Sequence, residues 1–123
     1  MAVSGSGKMG YIGKRKSPPP SVTQITDATT AVVLNGSFGV IVGITQTLAA
    51  DAMISFTLTN SYIQAGSVVL VNVVGYSGTY NGTAGFPVVS VGTVANGSCL
   101  IQLFNPDAAS LVGIVTFAFQ VIR

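Results

Sequence analysis

The sequence predicts an all-β fold: an eight-stranded antiparallel sandwich, of jelly-roll type, preceded by an extended N-terminal arm. Three observations predict it. Apolar and polar residues alternate with a period of two in several segments. Turn dipeptides separate these segments at a spacing of roughly ten residues. The 123 residues are enough for a single core, and no segment has the periodicity of a long helix.

The predicted arm is residues 1–21. It is rich in Gly and Ser, then basic, and it ends with Pro18, Pro19 and Pro20 before Ser21. Consecutive prolines favour the extended polyproline II conformation, which makes a semi-rigid spacer. Residues 22–123 are predicted to form the β-sandwich domain, so that the chain has one arm and one folded domain.

The predicted strands have one apolar stripe each. Ile54, Phe56 and Leu58 face one side of their strand, and hydroxyl side chains face the other. The most apolar stripe belongs to the last strand and is expected in the core; it consists of Val115, Phe117, Phe119 and Val121. The eight predicted strands are 22–26, 30–34, 38–45, 52–59, 67–74, 86–91, 98–104 and 113–122.

Turn chemistry separates the strands. Asn35-Gly36, Asn81-Gly82 and Asn96-Gly97 are dipeptides that tolerate positive φ in tight turns. Asn105-Pro106-Asp107 is expected to end a strand, because proline cannot donate to a ladder. The short Ala-rich stretches 48–52 and 107–110 could each form one helical turn.

Charge is scarce and unevenly distributed. Residues 1–16 carry Lys8, Lys14, Arg15 and Lys16, whereas the rest of the chain carries only Asp27, Asp51, Asp107 and Arg123. Charged residues make up 7% of the chain, against about 25% in typical globular domains. A free monomer is normally kept apart from its neighbours by mixed surface charge. The sequence therefore predicts a surface covered by copies of itself or by a scaffold; a soluble monomer with a Ser/Thr-rich surface is the alternative.

The composition argues against several function classes. The chain has no His, no Glu and no Trp, and Cys99 is its single cysteine. No disulfide can form within one chain, and no His-based triad or His/Cys zinc site is possible. We therefore predict no enzyme activity, no catalytic residue, no metal and no cofactor. Cys99 is expected to be a packed apolar residue. Apolar stretches fall short of the roughly 20 residues of a membrane helix, so no membrane role is predicted.

Two segments are candidate contact sites. The Gly-rich loop 75–85 offers Tyr76, Tyr80 and Asn81, and a loop this long is often functional, although it could also be an inert surface loop. In the arm, four positive charges would allow only weak, salt-sensitive nucleic-acid binding, so an acidic protein surface is favoured over nucleic acid. The candidate arm residues are Lys8, Tyr11, Ile12, Lys14, Arg15, Lys16, Pro18, Pro19 and Pro20.

Four runs of residues carry a family resemblance: ISFTLTNSYIQAGSVVLV at 54–71, GFPVVSV at 85–91, VANGSCLI at 94–101 and GIVTFAFQVI at 113–122. Together they resemble small jelly-roll virion proteins of tailed bacteriophages, in particular those of cyanobacterial phages. The resemblance covers about residues 36–123 and does not include the arm. Related modules also occur in tail and fibre proteins.

The resemblance implies a capsid cement, or decoration, protein located in the virion on the outer capsid surface. Its partners would be the major capsid protein and itself, as a homotrimer that clamps neighbouring capsid subunits, and no catalytic residue is implied. In this hypothesis Tyr11 and Ile12 anchor the arm, and Lys14, Arg15 and Lys16 meet an acidic capsid surface. The alternative is a tail or fibre module that binds a receptor or glycan through the loop 75–85.

Overall fold

The computed structural model of the protein describes residues 18–78 and 86–123. Within these residues the fold is all-β, as predicted, and contains no helix. The described strands are β1 Ser21–Thr23, β2 Val32–Val33, β3 Phe38–Val42, β4 Gln46–Leu48, β5 Met53–Thr59, β6 Val68–Tyr76, β7 Val88–Ala95, β8 Ser98–Phe104, β9 Leu111–Gly113 and β10 Val115–Ile122.

Two four-stranded sheets enclose the core. The front sheet has the order β1-β3-β10-β6, and the back sheet has the order β2-β5-β8-β7. A two-stranded ribbon pairs β4 with β9. Three antiparallel pairs are nested in the sequence: β5 and β8 pair with each other and lie between β4 and β9, which also pair, and these four strands lie between the paired strands β3 and β10. A nested set of this kind is produced when one long antiparallel ribbon folds over onto itself.

The strand count and the strand directions differ from the prediction. The described residues contain ten strands rather than eight, because β4 and β9 were not predicted. The predicted strand 38–45 ends at Val42 as β3, and β4 begins beyond it at Gln46. Of β9, only Gly113 falls in the predicted strand 113–122. The sheets are mixed rather than purely antiparallel, since β1 pairs in parallel with β3, and β2 pairs in parallel with β5. The jelly-roll topology remains a prediction.

The division between β3 and β4 occurs at Gly43. Its amide donates to the carbonyl of Val115 at 2.9 Å, and a Cβ built on Gly43 would lie 2.6 Å from that same oxygen. Only glycine therefore lets the two chain segments approach this closely. After this point the chain passes from the front sheet, which contains β3, to the two-stranded ribbon, which contains β4.

The core lies between the two sheets and is apolar. Val115, Phe117, Phe119 and Val121 are buried, which confirms the stripe predicted for the last strand. The ring of Phe117 on the front sheet packs against Phe56 on the back sheet, with 5.6 Å between the ring centroids. Burying one such side chain contributes about 1.5–3 kcal/mol. This contact therefore holds the two sheets together.

Cys99 lies in β8 and points into this core. Its side chain is buried, as predicted, and burial raises the pKa of the thiol to about 11. A thiol with such a pKa is almost entirely protonated at neutral pH, and the thiolate is the reactive form. Cys99 therefore acts as a packing residue.

Two buried asparagines fix the loops at the strand ends. The Nδ2 of Asn105 donates to the carbonyls of Leu48, Ala49 and Ala109 at 3.0, 3.1 and 2.8 Å. Asn60 exchanges hydrogen bonds with the backbone of Gly36 at 3.1 and 2.8 Å. Buried polar groups require such partners. The strand stop predicted at Asn105-Pro106 is confirmed, since β8 ends at Phe104.

Candidate interaction surface

The outward-facing side of the front sheet is unusually apolar. Because the odd-numbered residues of β10 point into the core, the even-numbered ones point outward. The strands β3 and β6 on either side add further apolar side chains. We call this surface the front face; it consists of Phe38, Val40, Val42, Val68, Leu70, Asn72, Val74, Thr116, Ala118, Gln120 and Ile122.

Strand register arranges the front face in rows. Gln120 in β10 lies opposite Phe38 in β3 and opposite Leu70 in β6. One row along, Ala118 lies opposite Val40 and Asn72 in the same way. Directly opposed residues on one face have Cβ atoms about 4.5–5.5 Å apart, so each row is a continuous line of side chains.

The large apolar side chains of the front face are exposed to solvent. Leu70 is 51% exposed, Val68 is 52% exposed and Val74 is 59% exposed, and Phe38 and Ile122 are each 48% exposed. Single exposed apolar residues are ordinary, but a contiguous group marks an interaction surface in many proteins. A groove of about 460 Å³ lies on this face, and Pro19 forms part of its wall.

None of the ten described strands contains a charged residue. In the described part of the chain, Asp27, Asp51 and Asp107 lie in loops, and Arg123 follows β10. The guanidinium of Arg123 lies 4.5 Å from the ring centroid of Tyr62, a cation–π contact. The front face is therefore uncharged as well as apolar.

The acidic loops are structured by their own carboxylates. Asp27 accepts hydrogen bonds from the backbone amide and the hydroxyl of Thr29 at 2.9 and 2.7 Å. These bonds, the hydroxyl bond first, lower the pKa of Asp27. Asp107 accepts a bond from the amide of Ala108 at 2.7 Å. Both carboxylates therefore stabilise turns, and among the described residues no three His, Cys, Asp or Glu side chains group as metal ligands.

The chain enters the fold at one edge of the front face. The carbonyl of Pro20 accepts a hydrogen bond from the amide of Val40 at 2.9 Å, and Ser21 then pairs with Val40 in β1. Pro19 is half-buried, whereas Pro18 is exposed. Pro18 and Pro19, from which the preceding basic segment continues, thus lie at this edge of the front sheet, with Pro19 in the wall of the groove.

Most of the predicted arm residues lie outside the described residues. This applies to Lys8, Tyr11, Ile12, Lys14, Arg15 and Lys16. The three prolines are described, and of these Pro19 contributes to the groove. The geometry therefore specifies where the basic segment is attached.

The predicted contact loop is described only in part. Tyr76 is half-buried at the end of β6, and its hydroxyl donates to the carbonyl of Val112 at 3.2 Å. This bond connects β6 to β9 and gives Tyr76 a structural role. Tyr80 and Asn81 lie outside the described residues.

The sequence-based candidates did not include the front face. The runs FGVIV in β3 and VVLVNVV in β6 are apolar on both sides, so alternation cannot indicate which side faces outward. The usable signal was in β10, where Thr116, Ala118 and Gln120 alternate with a buried stripe. Only the register of β10 with its neighbours brings these residues together.

No helix in the described part of the chain is long and apolar enough to cross a membrane. Comparison of the chain with protein-family models, with curated proteins and with solved structures finds no match.

Proposed function

We propose that this chain is a structural virion protein, a cement protein that assembles as a homotrimer on the head of a tailed phage. It would clamp neighbouring major capsid subunits and so stabilise the shell. The proposal combines the sequence resemblance with one structural observation that carries most of the weight: the strands are uncharged, and the basic N-terminal segment is attached at the edge of an exposed apolar face.

The uncharged strands favour an assembled protein over a free monomer. Solvated surfaces of monomers usually carry both signs of charge, which limits association. Exposed sheet edges also usually carry charged residues, which discourage pairing with other chains. The described strands have neither protection. Such a surface is typical of a protein that functions in an assembly, in contact with neighbouring subunits.

The basic segment is attached at the edge of the front sheet, and we assign it the contact with the capsid. Residues 1–17 carry four positive charges and no negative one. Because Pro20 is bonded into the front sheet, the segment leaves a rigid body at a fixed point. A segment leaving such a point can cross onto an adjacent capsid subunit and bind its acidic surface.

Clamping would depend on many weak contacts. The prolines restrict the segment before it binds, which lowers the entropy lost on docking. A trimer presents three such segments, so the second and third bind at a high effective concentration. Linked in this way, neighbouring capsid subunits would separate less readily under the pressure of packaged DNA.

Co-sedimentation with purified heads of the phage that carries this chain tests the proposal. The full chain should pellet with heads, whereas a variant lacking residues 1–16 should remain in the supernatant. A second variant, K14Q/R15Q/K16Q, keeps the segment length and the prolines. At roughly 0.5 kcal/mol for each exposed charge contact, each segment should bind about tenfold more weakly, and a trimer that binds through three segments should lose more than tenfold.

Salt distinguishes the two contributions to binding. Raising the salt concentration should weaken attachment only in part, because charge contacts are screened while apolar burial is not. Circular dichroism of each variant checks that the sandwich remains folded. Equal pelleting of the full chain and the variant that lacks residues 1–16 would contradict the role of the segment.

A further inference from the structure

We infer that the front face is the surface through which copies of this chain contact one another, so that in the assembled protein each front face lies against a second copy. Contact between two identical faces joins copies two at a time about a two-fold axis, so it is separate from the three-fold contact of the homotrimer, which rests on the proposed function. The choice of face does not, because it follows from the charge, the hydrogen-bonding groups and the area of the described surface.

Charge favours a second copy as the partner. Every side chain of the front face is uncharged, and the charged groups of the described residues lie in loops or over Tyr62. A partner with an ordinary charged surface would have to lose the hydration of its charges without gaining a counterpart. A second front face brings no charge to bury, so this penalty is absent when two copies meet.

The polar groups of the front face are self-complementary. Gln120 lies between Phe38 and Leu70, and Asn72 lies one row along, opposite Ala118. Both amides are exposed at the surface. A side-chain amide has both donors and an acceptor, and it can therefore bond to the same amide of another copy. The face can be covered by itself without leaving these groups unsatisfied.

The area of the face sets the strength of the contact. The four strands of the front sheet contain 3, 5, 8 and 9 residues, and at about 3.3 Å per residue and about 4.8 Å between strands they give a footprint of roughly 400 Å². A stable interface buries about 800 Å² on each partner. The front face alone should therefore give weak, concentration-dependent association in solution, with further contacts completing the assembly on the shell.

The back sheet presents a different outer surface. Its middle row is Ser55, Gln102 and Ser90, with the Ser90 hydroxyl 3.4 Å from the Gln102 amide oxygen. Thr57 and Thr59 add hydroxyl groups along β5. The back sheet also exposes large apolar side chains, but only three of them, Val33, Met53 and Val88, against five on the front face, and they lie at its ends, on either side of this middle row. The front face is thus the better choice of the two outer surfaces.

Sedimentation velocity over a range of concentrations tests the inference with a matched pair of variants. Leu70 is 51% exposed on the front face, and Val112 is 54% exposed on β9, which belongs to the two-stranded ribbon and not to the front sheet. Leu70→Asp places a charge in the interface and should reduce association by at least tenfold. Val112→Asp places the same charge at equal exposure and should sediment like the unmodified chain.

A third variant distinguishes the loss of the interface from misfolding caused by Leu70→Asp. Gln120→Glu replaces an exposed amide by an isosteric carboxyl group, so the fold should be retained. It should dissociate at pH 7, where the carboxylates repel one another, and reassociate near pH 4, where the usual pKa of a glutamate of about 4.3 leaves most of them neutral. The unmodified chain at both pH values controls for the effect of pH on the three aspartates.

Each outcome decides the assignment of the face. Dissociation by Leu70→Asp and Gln120→Glu but not by Val112→Asp supports it. Equal behaviour of Leu70→Asp and Val112→Asp, or a single 12.5 kDa species for the unmodified chain at every concentration, overturns it. Co-sedimentation with heads separates the two proposals. Binding of the chain to heads as a monomer would contradict only the proposed interface between copies. Self-association without binding to heads would contradict only the cement function.

Discussion

The two sheets share one core but present opposite outer surfaces. The front face carries exposed Phe38, Leu70 and Val74, whereas the corresponding surface of the back sheet is centred on Ser55 and Ser90. Neither sheet contains a charged residue in its described strands. The lack of charge is therefore common to both surfaces, and the front face differs by its larger number of exposed apolar side chains, five against the three of the back sheet, Val33, Met53 and Val88.

The comparison between the two surfaces shows that a chain with few charged residues can keep a surface hydrated with hydroxyl and amide side chains. Hydroxyl and amide groups exchange hydrogen bonds with water, so the middle of the back surface can remain exposed without charge. Exposed leucine, valine and phenylalanine side chains cannot do so, and covering them is favourable at about 25 cal/mol per Å². The front face is consequently the surface that association should cover.

The largest expected effect concerns the core that both surfaces depend on. Phe117→Ala removes a buried ring that contacts Phe56 across the two sheets. It should lower the free energy of unfolding by about 3–5 kcal/mol. Gln120→Ala, in the same strand but on the front face, should change it by no more than about 0.5 kcal/mol. Urea denaturation followed by circular dichroism measures both, and a similar loss for the two variants would mean that the inner and outer sides of β10 are wrongly assigned.

The next effect concerns the hydrogen bonds of Asn105 to the loops that contain Asp51 and Asp107. Asn105→Ala leaves three carbonyls without their donor and should cost about 2–3 kcal/mol of unfolding free energy. Asn96 is the matched control, since it is exposed and accepts one bond, from the amide of Ala65. Asn96→Ala should cost about 1 kcal/mol or less. The same denaturation measurement applies, and an equal cost at both positions would show that Asn105 does not tie the loops together.

The smallest effect on stability should come from making the front face resemble the back surface. The triple variant V68T/L70T/V74T replaces exposed apolar side chains with threonine, a β-branched residue that favours strands. Its free energy of unfolding should change by about 1 kcal/mol or less, because the side chains are half-exposed. Binding of a fluorescent apolar dye should nevertheless fall strongly. Unchanged dye binding would mean that the exposed apolar surface of the protein lies elsewhere.

Local sequence patterns predicted the parts of the fold that depend on neighbouring residues. The buried stripe of β10 follows from a period of two, and the end of β8 follows from Pro106. The turn at Asn96-Gly97 is also present, with Gly97 at a φ of +85°. Each of these features is decided within a few residues, so the sequence alone contains the necessary information.

Long-range pairing explains what the sequence could not predict. The parallel pairs β1·β3 and β2·β5 join segments whose local patterns carry no sign of direction. The need for glycine at position 43, between β3 and β4, comes from the close approach of Val115, which is distant in sequence. The front face depends on the register of three strands, two of which are apolar on both sides. Candidate contact residues could be chosen in the arm and the loop 75–85, but not on this face.

A cryo-electron microscopy reconstruction of the intact virion tests the central claim most directly. The proposal predicts density for this fold on the outside of the head, at hundreds of copies per particle, with each front face against another copy and the N-terminal segment on a capsid subunit. Density confined to the tail, at a few dozen copies or fewer, would contradict the cement function. A front face open to solvent on the head would contradict the assigned interface.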